Sequence, residues 1–460
     1  MEDERGRPII RAVTEDVVLA RLAKTCNSVV QTEDGLKNVL PPRSIASYIL
    51  AQGRWPFPPL EAVTCSPTIR QDGSIAQVPG YDSATRLYYH RTSDEPVNVP
   101  DKPTSEDVVK ALGLLDELLH DFPFDCQASK ANAIALLLSP IIQPAVMDLT
   151  PLFLIDAPTA GSGKSLLAIT AGIISSGAVP DFTTAPSKDE EWPKKITAIL
   201  TAGPSLVVID NVKHTIQSAE LAMLLTTRAW KERVFGKNTE TVILPNRAVW
   251  VATGNNIQIG GDIPRRCVWI RIDPRQSKPH QREGFLHPNL IDWTLENRAS
   301  LLAALLVLCR AWYADGSPEY PVPVFGSFEK WTHTVGGILG HAGVEGFLAN
   351  RDQLWEQSDA ESAEWEAFLS KWHKVYGSKP ITPKELVRAV ETGEEIADAL
   401  PAVVSDALCG KGDRCSRIGK QFRARLGKRY GKGGFRLERG ARNTGGVTWV
   451  VEADDAQSTM

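Results

Sequence analysis

Gly161, Ser162, Gly163, Lys164 and Ser165 close the stretch Leu152-Phe153-Leu154-Ile155-Asp156-Ala157-Pro158-Thr159-Ala160-Gly161-Ser162-Gly163-Lys164-Ser165. Residue types at this spacing hold phosphate. Loop amides and the start of a following helix would cradle the anion, because unpaired N–H groups and the helix dipole both favour negative charge there. Lys164 would reach the β- and γ-phosphates of a nucleotide, and the Ser165 hydroxyl would sit on Mg2+. One position departs from the strict spacing. Pro158 stands where a first glycine is usual, and proline fixes φ near −65°, so the loop must open differently.

Three further sets could complete such a site. Leu206-Val207-Val208-Ile209-Asp210 is an apolar strand ending in a carboxylate, an arrangement that lets Asp210 hold Mg2+ or its water. Asn211 follows it where a glutamate would polarise the attacking water, so the general base is left unassigned. Ala248-Val249-Trp250-Val251-Ala252 leads to Thr253-Gly254-Asn255-Asn256, and the Asn255 amide at a strand tip could orient that water. Asp262-Ile263-Pro264-Arg265-Arg266 comes next. Arg265 or Arg266 could point into a neighbour's nucleotide as an arginine finger; a solvated Arg-Arg surface is the plain alternative.

Such residues need strands and helices to hold them. Leu152 to Ile155 suits a buried parallel strand, Leu166 to Ile169 a helix, and Cys267 to Ile272 a last strand. Around this core at 151–275 the chain divides into four more regions. Residues 1–100 read as a small mixed α/β region: helices over Val17–Ala23 and Ile45–Gln52, then strand-like pieces at Ala62–Ser66, Ile75–Val78 and Leu87–His90. Residues 101–150 read as two helices, the first capped at Thr104-Ser105-Glu106-Asp107 and the second, Ala128–Leu138, stopped by Ser139-Pro140. Residues 276–375 read as a helical lid, with long amphipathic helices over Asn289–Val307 and an acidic helix beyond. Residues 376–460 start a helix at Thr382-Pro383. From Lys411 to Arg442 this region carries twelve Lys/Arg against Asp413 and Glu438. A helix over Ser416–Tyr430, a basic turn and strands over Phe435–Glu438 and Gly446–Val451 spell a winged-helix module. Arg417, Lys420, Arg423 and Lys428 would face DNA.

The totals set bounds. The 460 residues carry a net charge of −4, with 43% hydrophobic and 23% charged residues, the composition of a globular protein and not of one coated with nucleic acid throughout. No apolar run reaches the 18 or so residues of a membrane span, and Met1-Glu2-Asp3-Glu4-Arg5 lacks the order of a signal peptide. The seven cysteines are scattered, with no metal-binding spacing. A cytoplasmic protein with reduced thiols is the expectation.

The order Lys-Ser, strand-Asp, strand-Asn, Arg-Arg resembles the AAA+ ATPase core. More narrowly, Ala157–Ser165, Val208-Ile209-Asp210-Asn211-Val212, Ala252–Asn256 and Pro264-Arg265-Arg266 resemble superfamily III-like replicative DNA helicases of phages and integrated mobile elements. Gly336-Gly337-Ile338-Leu339 and Gly343–Leu348 extend the likeness. Pro79-Gly80-Tyr81-Asp82 and Tyr88-Tyr89 resemble the stretch that precedes the helicase in primase–helicase proteins, and nothing resembles the primase. The resemblance implies an α/β fold and a homo-hexamer with ATP and Mg2+ at subunit seams. It also implies a hairpin entering a central pore, and Trp230–Pro245 has the pattern of one. There Lys231, Arg233 and Lys237 would contact phosphates and Phe235 could stack on a base. A DNA-bound ATP switch that does not translocate, and more weakly a nucleotide kinase, are the alternatives.

Overall fold

The computed structural model describes residues 8, 10, 12–93, 95–233, 241–358, 360–409, 412–431, 433–443 and 446–454. They form two compact units, Met1–Arg351 and Asp352–Met460. Among the described residues no helix is long and apolar enough to cross a membrane.

The first unit opens with α1 (Glu15–Thr25), whose N-cap Thr14 accepts the Val17 N–H. A hairpin of β1 (Val29–Thr32) and β2 (Gly35–Asn38) follows, then α2 (Arg43–Ala51). Short strands come next: β3 (Ala62–Thr64), β4 (Thr68–Ile69), β5 (Ile75–Ala76), β6 (Gly80–Asp82) and β7 (Leu87–Tyr89). They pair as a β3-β7-β6 sheet and a β4-β5 hairpin. Helix α3 (Ser105–Leu119) starts on a full capping box, with Thr104 and Asp107 satisfying each other's backbone N–H groups.

Helix α4 (Gln127–Val146) departs from the expectation. It runs straight through Pro140 and Pro144, where the sequence predicts a stop at Ser139-Pro140. Each proline removes one helical hydrogen bond, at a cost of about 3 kcal/mol. Burial outweighs that, because every residue from 131 to 144 is buried, and Leu136, Leu137, Leu138, Ile141 and Ile142 are each at most 1% exposed. At roughly 1.5–3 kcal/mol per buried aliphatic side chain, the helix keeps its path.

Strand β8 (Leu152–Ala157) is buried at all six positions and feeds α5 (Lys164–Ser176). The chain continues through β9 (Phe182–Thr183), α6 (Trp192–Ala202), β10 (Leu206–Val212) and α7 (Ala219–Leu224). A hairpin of β11 (Ala229–Arg233) and β12 (Thr241–Pro245) precedes β13 (Val249–Asn255) and β14 (Cys267–Arg271). Strands β8, β9, β10, β13 and β14 make one parallel sheet in the order β14-β8-β13-β10-β9. β8 lies between β14 and β13, so the loop after it falls between the tips of those two strands.

Asn289–Val307 does not form continuous helix. Asn297 separates α8 (Leu290–Glu296) from α9 (Arg298–Ala314), and α10 (Glu329–His341) packs on α9. Gly337 permits that contact, since a Cβ there would sit 2.7 Å from the Trp312 indole. Two arginines of α9 hold the N-terminal region. Arg298 donates to the carbonyls of Ile173 and Ile174 at the end of α5 and to that of Cys65. Arg310 donates to the carbonyls of Gly73 and Asp101. Behind the sheet, Asn132 of α4 donates to the Trp269 carbonyl (2.8 Å) and accepts the Leu348 N–H (3.0 Å).

The second unit contains α11 from Asp352 onward (the helix spans Arg351–Ser358), α12 (Ala360–Tyr376), α13 (Pro383–Glu391), α14 (Ala402–Cys409) and α15 (Arg414–Ala424). An antiparallel sheet of β15 (Arg429–Tyr430), β16 (Phe435–Asn443) and β17 (Gly446–Glu452) ends it. Trp365, Phe368, Leu369 and Trp372 of α12 lie in one core with Phe422 and Trp449, so this helix belongs with the C-terminal elements and not with those before Arg351. The helix expected over Ser416–Tyr430 is shorter. Gly427, at φ +72°, donates its N–H to Leu437, and the chain turns into β15. Only a residue tolerant of the left-handed region makes that turn without strain.

Asn132→Ala would leave the Leu348 N–H without its partner in the interior. We expect a loss of about 1–3 kcal/mol in chemical denaturation of the full chain, the scale of a buried polar group deprived of its hydrogen bond.

Candidate functional site

The loop after β8 turns on two left-handed glycines, Gly161 (φ +76°) and Gly163 (φ +96°). Gly163 is the N-cap of α5, and no side chain caps that end, so the first helical amides remain available. Pro158 does not disturb the arrangement; its carbonyl accepts the Asn256 side-chain amide. Ser162 folds back and donates its hydroxyl to the Thr159 carbonyl.

Lys164, the first residue of α5, is only 9% exposed. Its ammonium donates to Asn255 Oδ1 (2.7 Å), the Thr159 carbonyl (3.1 Å) and Ser162 Oγ (3.2 Å). None of these oxygens belongs to a carboxylate. Burial pushes the ammonium down from the usual lysine range, while the charges of Asp156 and Asp210 pull it back up. The next residue, Ser165, donates to Asp210 Oδ1 (2.9 Å). Thr253 of β13 donates to the same oxygen (2.5 Å) and accepts the Asn211 N–H (3.2 Å). The structure thus brings Gly161, Ser162, Gly163, Lys164, Ser165, Asp210 and Asn255 to one place.

The parallel register explains the convergence. Asn255 stands opposite Ala157, and Ile209 opposite Ala252, so the tips of β10 and β13 arrive level with the loop. Asn211 has φ +53° and an exposed side chain. The carboxylate and hydroxyl oxygens of Asp210 and Ser165 are the hard donors that Mg2+ takes, with substrate phosphates and water filling the other positions. Among the described residues no group of three His, Cys, Asp or Glu side chains could hold a metal ion. A Mg2+ bound in this shared way needs none.

Other sequence candidates stand on other elements. Arg265 and Arg266 occupy a short turn, Pro264–Arg266. Arg265 pairs with Asp262 and keeps 58% of its side chain exposed; Arg266 keeps 20% and lies 3.7 Å from the same carboxylate. Lys231 and Arg233 are exposed on β11, whereas Phe235 and Lys237 lie outside the described residues. In the second unit, Ile418 and Phe422 bury one face of α15. Lys420 and Arg423 are exposed, and Arg417 is half-buried. Lys428 donates to Ser362 Oγ and rests 4.9 Å from the centre of the Tyr430 ring.

Sequence reasoning missed two features. Thr253 was legible only as part of a motif; its link to Asp210 depends on the pairing of β10 with β13. The second is a cavity of about 340 Å3 behind the loop, lined by Gly161, Gly163, Phe122, His280, Phe285 and His287. Its walls come from segments far apart in the chain, and no local pattern marks them.

No family model matches the chain, and no curated protein matches it. Among solved structures it is similar to the A form apo structure of the NrS-1 C-terminal region. That match has 13% identity and a TM-score of 0.37, covering 92% of this chain and 93% of that one. It is also similar to JCV helicase with a bound substituted acetamide, at 14% identity and a TM-score of 0.24, over 65% of this chain and 74% of that one. Likeness at these scores adds nothing to what the geometry argues.

Proposed function

We propose that the chain is an ATP-dependent DNA helicase of AAA+ type, serving replication of a phage or mobile element. The observation that carries the reading is the meeting of Lys164 with Asn255 and of Ser165 with Asp210 at one glycine-bounded loop. A buried cation, open helix amides and two hard oxygens suit a triphosphate with Mg2+. When bound, Mg2+ supplies charge neutralisation at the β- and γ-phosphates, with Ser165 and Asp210 as its protein ligands. Lys164 binds the phosphate oxygens, and Asn255 orients the attacking water. The cavity beside Phe122 and His280 takes the base, and the part of the expected 276–375 lid that belongs to the first unit, residues 276–351, serves as the lid.

Exposure supports a choice between the two arginines. Arg265 is the better finger of the pair because its guanidinium is accessible to a neighbouring subunit of a homo-hexamer. DNA contacts fall to Lys231 and Arg233 on the hairpin, whose tip would carry Phe235 and Lys237 through the pore. The second unit acts as a winged helix, with Arg417, Lys420 and Arg423 of α15 toward duplex DNA and Lys428 at its edge. A second reading, a DNA-bound ATP switch that does not translocate, is favoured by Asn211, which offers an amide where a general base would stand.

ATP turnover is expected to rise with single-stranded DNA and to drop by about 100-fold or more in Lys164→Ala, in keeping with the loss of a transition-state charge. Turnover indifferent to DNA, with no strand displacement, would leave only the switch. Arg265→Ala should be comparably inactive, while Arg266→Ala should retain most activity. Mixing inactive Lys164→Ala with inactive Arg265→Ala subunits should restore part of the turnover, since some seams then carry both intact groups. Failure of the mixture to recover would refute the finger in trans.

A further inference from the structure

Asp156 enters the site as described only through the charge it holds near Lys164, yet it is the most enclosed carboxylate there, at 3% exposed. It sits one residue before the end of β8. Its Oδ1 accepts the Ile257 N–H (2.9 Å), and its Oδ2 accepts from Arg271 Nη1 (2.5 Å) at the end of β14. Burial pushes its carboxyl up from the ordinary range, against the pull of the Ile257 amide and the Arg271 guanidinium. One side chain therefore ties the ends of β8, β13 and β14 together.

The tie falls at a particular point. Lys164 is gripped by Asn255, and directly after Asn255 the backbone turns, with Asn256 at φ +44°. Two backbone groups beyond that turn are fastened to β8: the Asn256 N–H to the Ala157 carbonyl (3.0 Å) and the Ile257 N–H to Asp156. Gly254, on the other side, fits because a Cβ there would meet the Val212 carbonyl at 2.9 Å and the Ile257 side chain at 2.6 Å. The direction in which the Asn255 amide points is thus fixed by where Ile257 is held.

We infer that Asp156 is a positioning residue for ATP turnover: by anchoring the Ile257 amide to β8 it aims Asn255 at Lys164 and the reacting phosphate. This rests on the nucleotide-site reading above and adds a step to it. Asp156 touches neither nucleotide nor metal. Its charge also reaches Lys164 through space, but its hold on the reaction geometry runs through Asn255, and a displacement of about 1 Å in such a group is worth up to 100-fold in rate.

The test is a double-mutant cycle on the full chain, read as nucleotide affinity and as single-turnover ATP hydrolysis. Asp156→Ala should slow hydrolysis about tenfold and leave nucleotide affinity within about threefold. In an Asn255→Ala background the same change should slow it less than about twofold further, because the group it aims is gone. A tenfold loss that persists in that background would overturn the inference, as would unaltered hydrolysis in Asp156→Ala. If the alanine variant does not fold, Asp156→Ser keeps a small polar group in the interior, with a hydroxyl one bond too short for the Ile257 amide. It should show the same tenfold loss and the same non-additivity, and additive losses there would equally overturn the inference. Absence of nucleotide binding by the unmodified chain would instead sink the nucleotide-site reading itself.

Discussion

A buried ammonium held only by uncharged oxygens is the constraint on which the first unit turns. Lys164 reaches an amide, a carbonyl and a hydroxyl, and its nearest counter-charges, Asp156 and Asp210, act on it through space. A charge removed from water needs compensation. The loop offers that compensation to an incoming anion instead of supplying it with a carboxylate. Uncapped amides at the start of α5 point the same way, so one small volume collects the attractions that a polyphosphate satisfies.

Keeping that volume in shape falls to the sheet. With β8 between β13 and β14, the loop is flanked by two strand tips whose level is set by backbone ladders and not by flexible side chains. The helix behind the sheet tolerates two internal prolines because its whole circumference is packed. Asn132 then joins that helix to the Trp269 carbonyl of β14. Rigid support on one side and open amides on the other is the arrangement expected of ligand sites at the carboxyl ends of parallel strands.

What could be read from the sequence was what is local. The phosphate loop, the strands that carry Asp210 and Asn255, the hairpin arms and the caps at Thr104 and Thr382 all announce themselves within a few residues. Thr382, for instance, accepts the Glu385 N–H and receives the Glu385 carboxylate in return, as its spacing suggests. What escaped was set at a distance. Pro140 reads as a stop unless one knows that the helix is enclosed. Asp156 and Thr253 look like ordinary strand residues until β8, β10, β13 and β14 are placed side by side. The walls of the cavity behind Gly161 come from Phe122 and from the segment around His280, and only the fold unites them. In the second unit the turn at Gly427 depends on a hydrogen bond to Leu437, which helical periodicity cannot reveal.

The grip of Arg298 has a practical corollary for anyone wishing to shorten this protein. Its guanidinium bonds at once to the last turn of the phosphate-loop helix and to the Cys65 carbonyl, with Thr92 alongside. Cutting away the leading hundred residues would strip one half of that clasp, the half formed by Cys65 and Thr92. A fragment begun at residue 101 would inherit Arg298 without the Cys65 and Thr92 acceptors, at the foot of the helix that begins at Lys164. The leading region is better regarded as a footing for the helix that begins at Lys164 than as a detachable appendage.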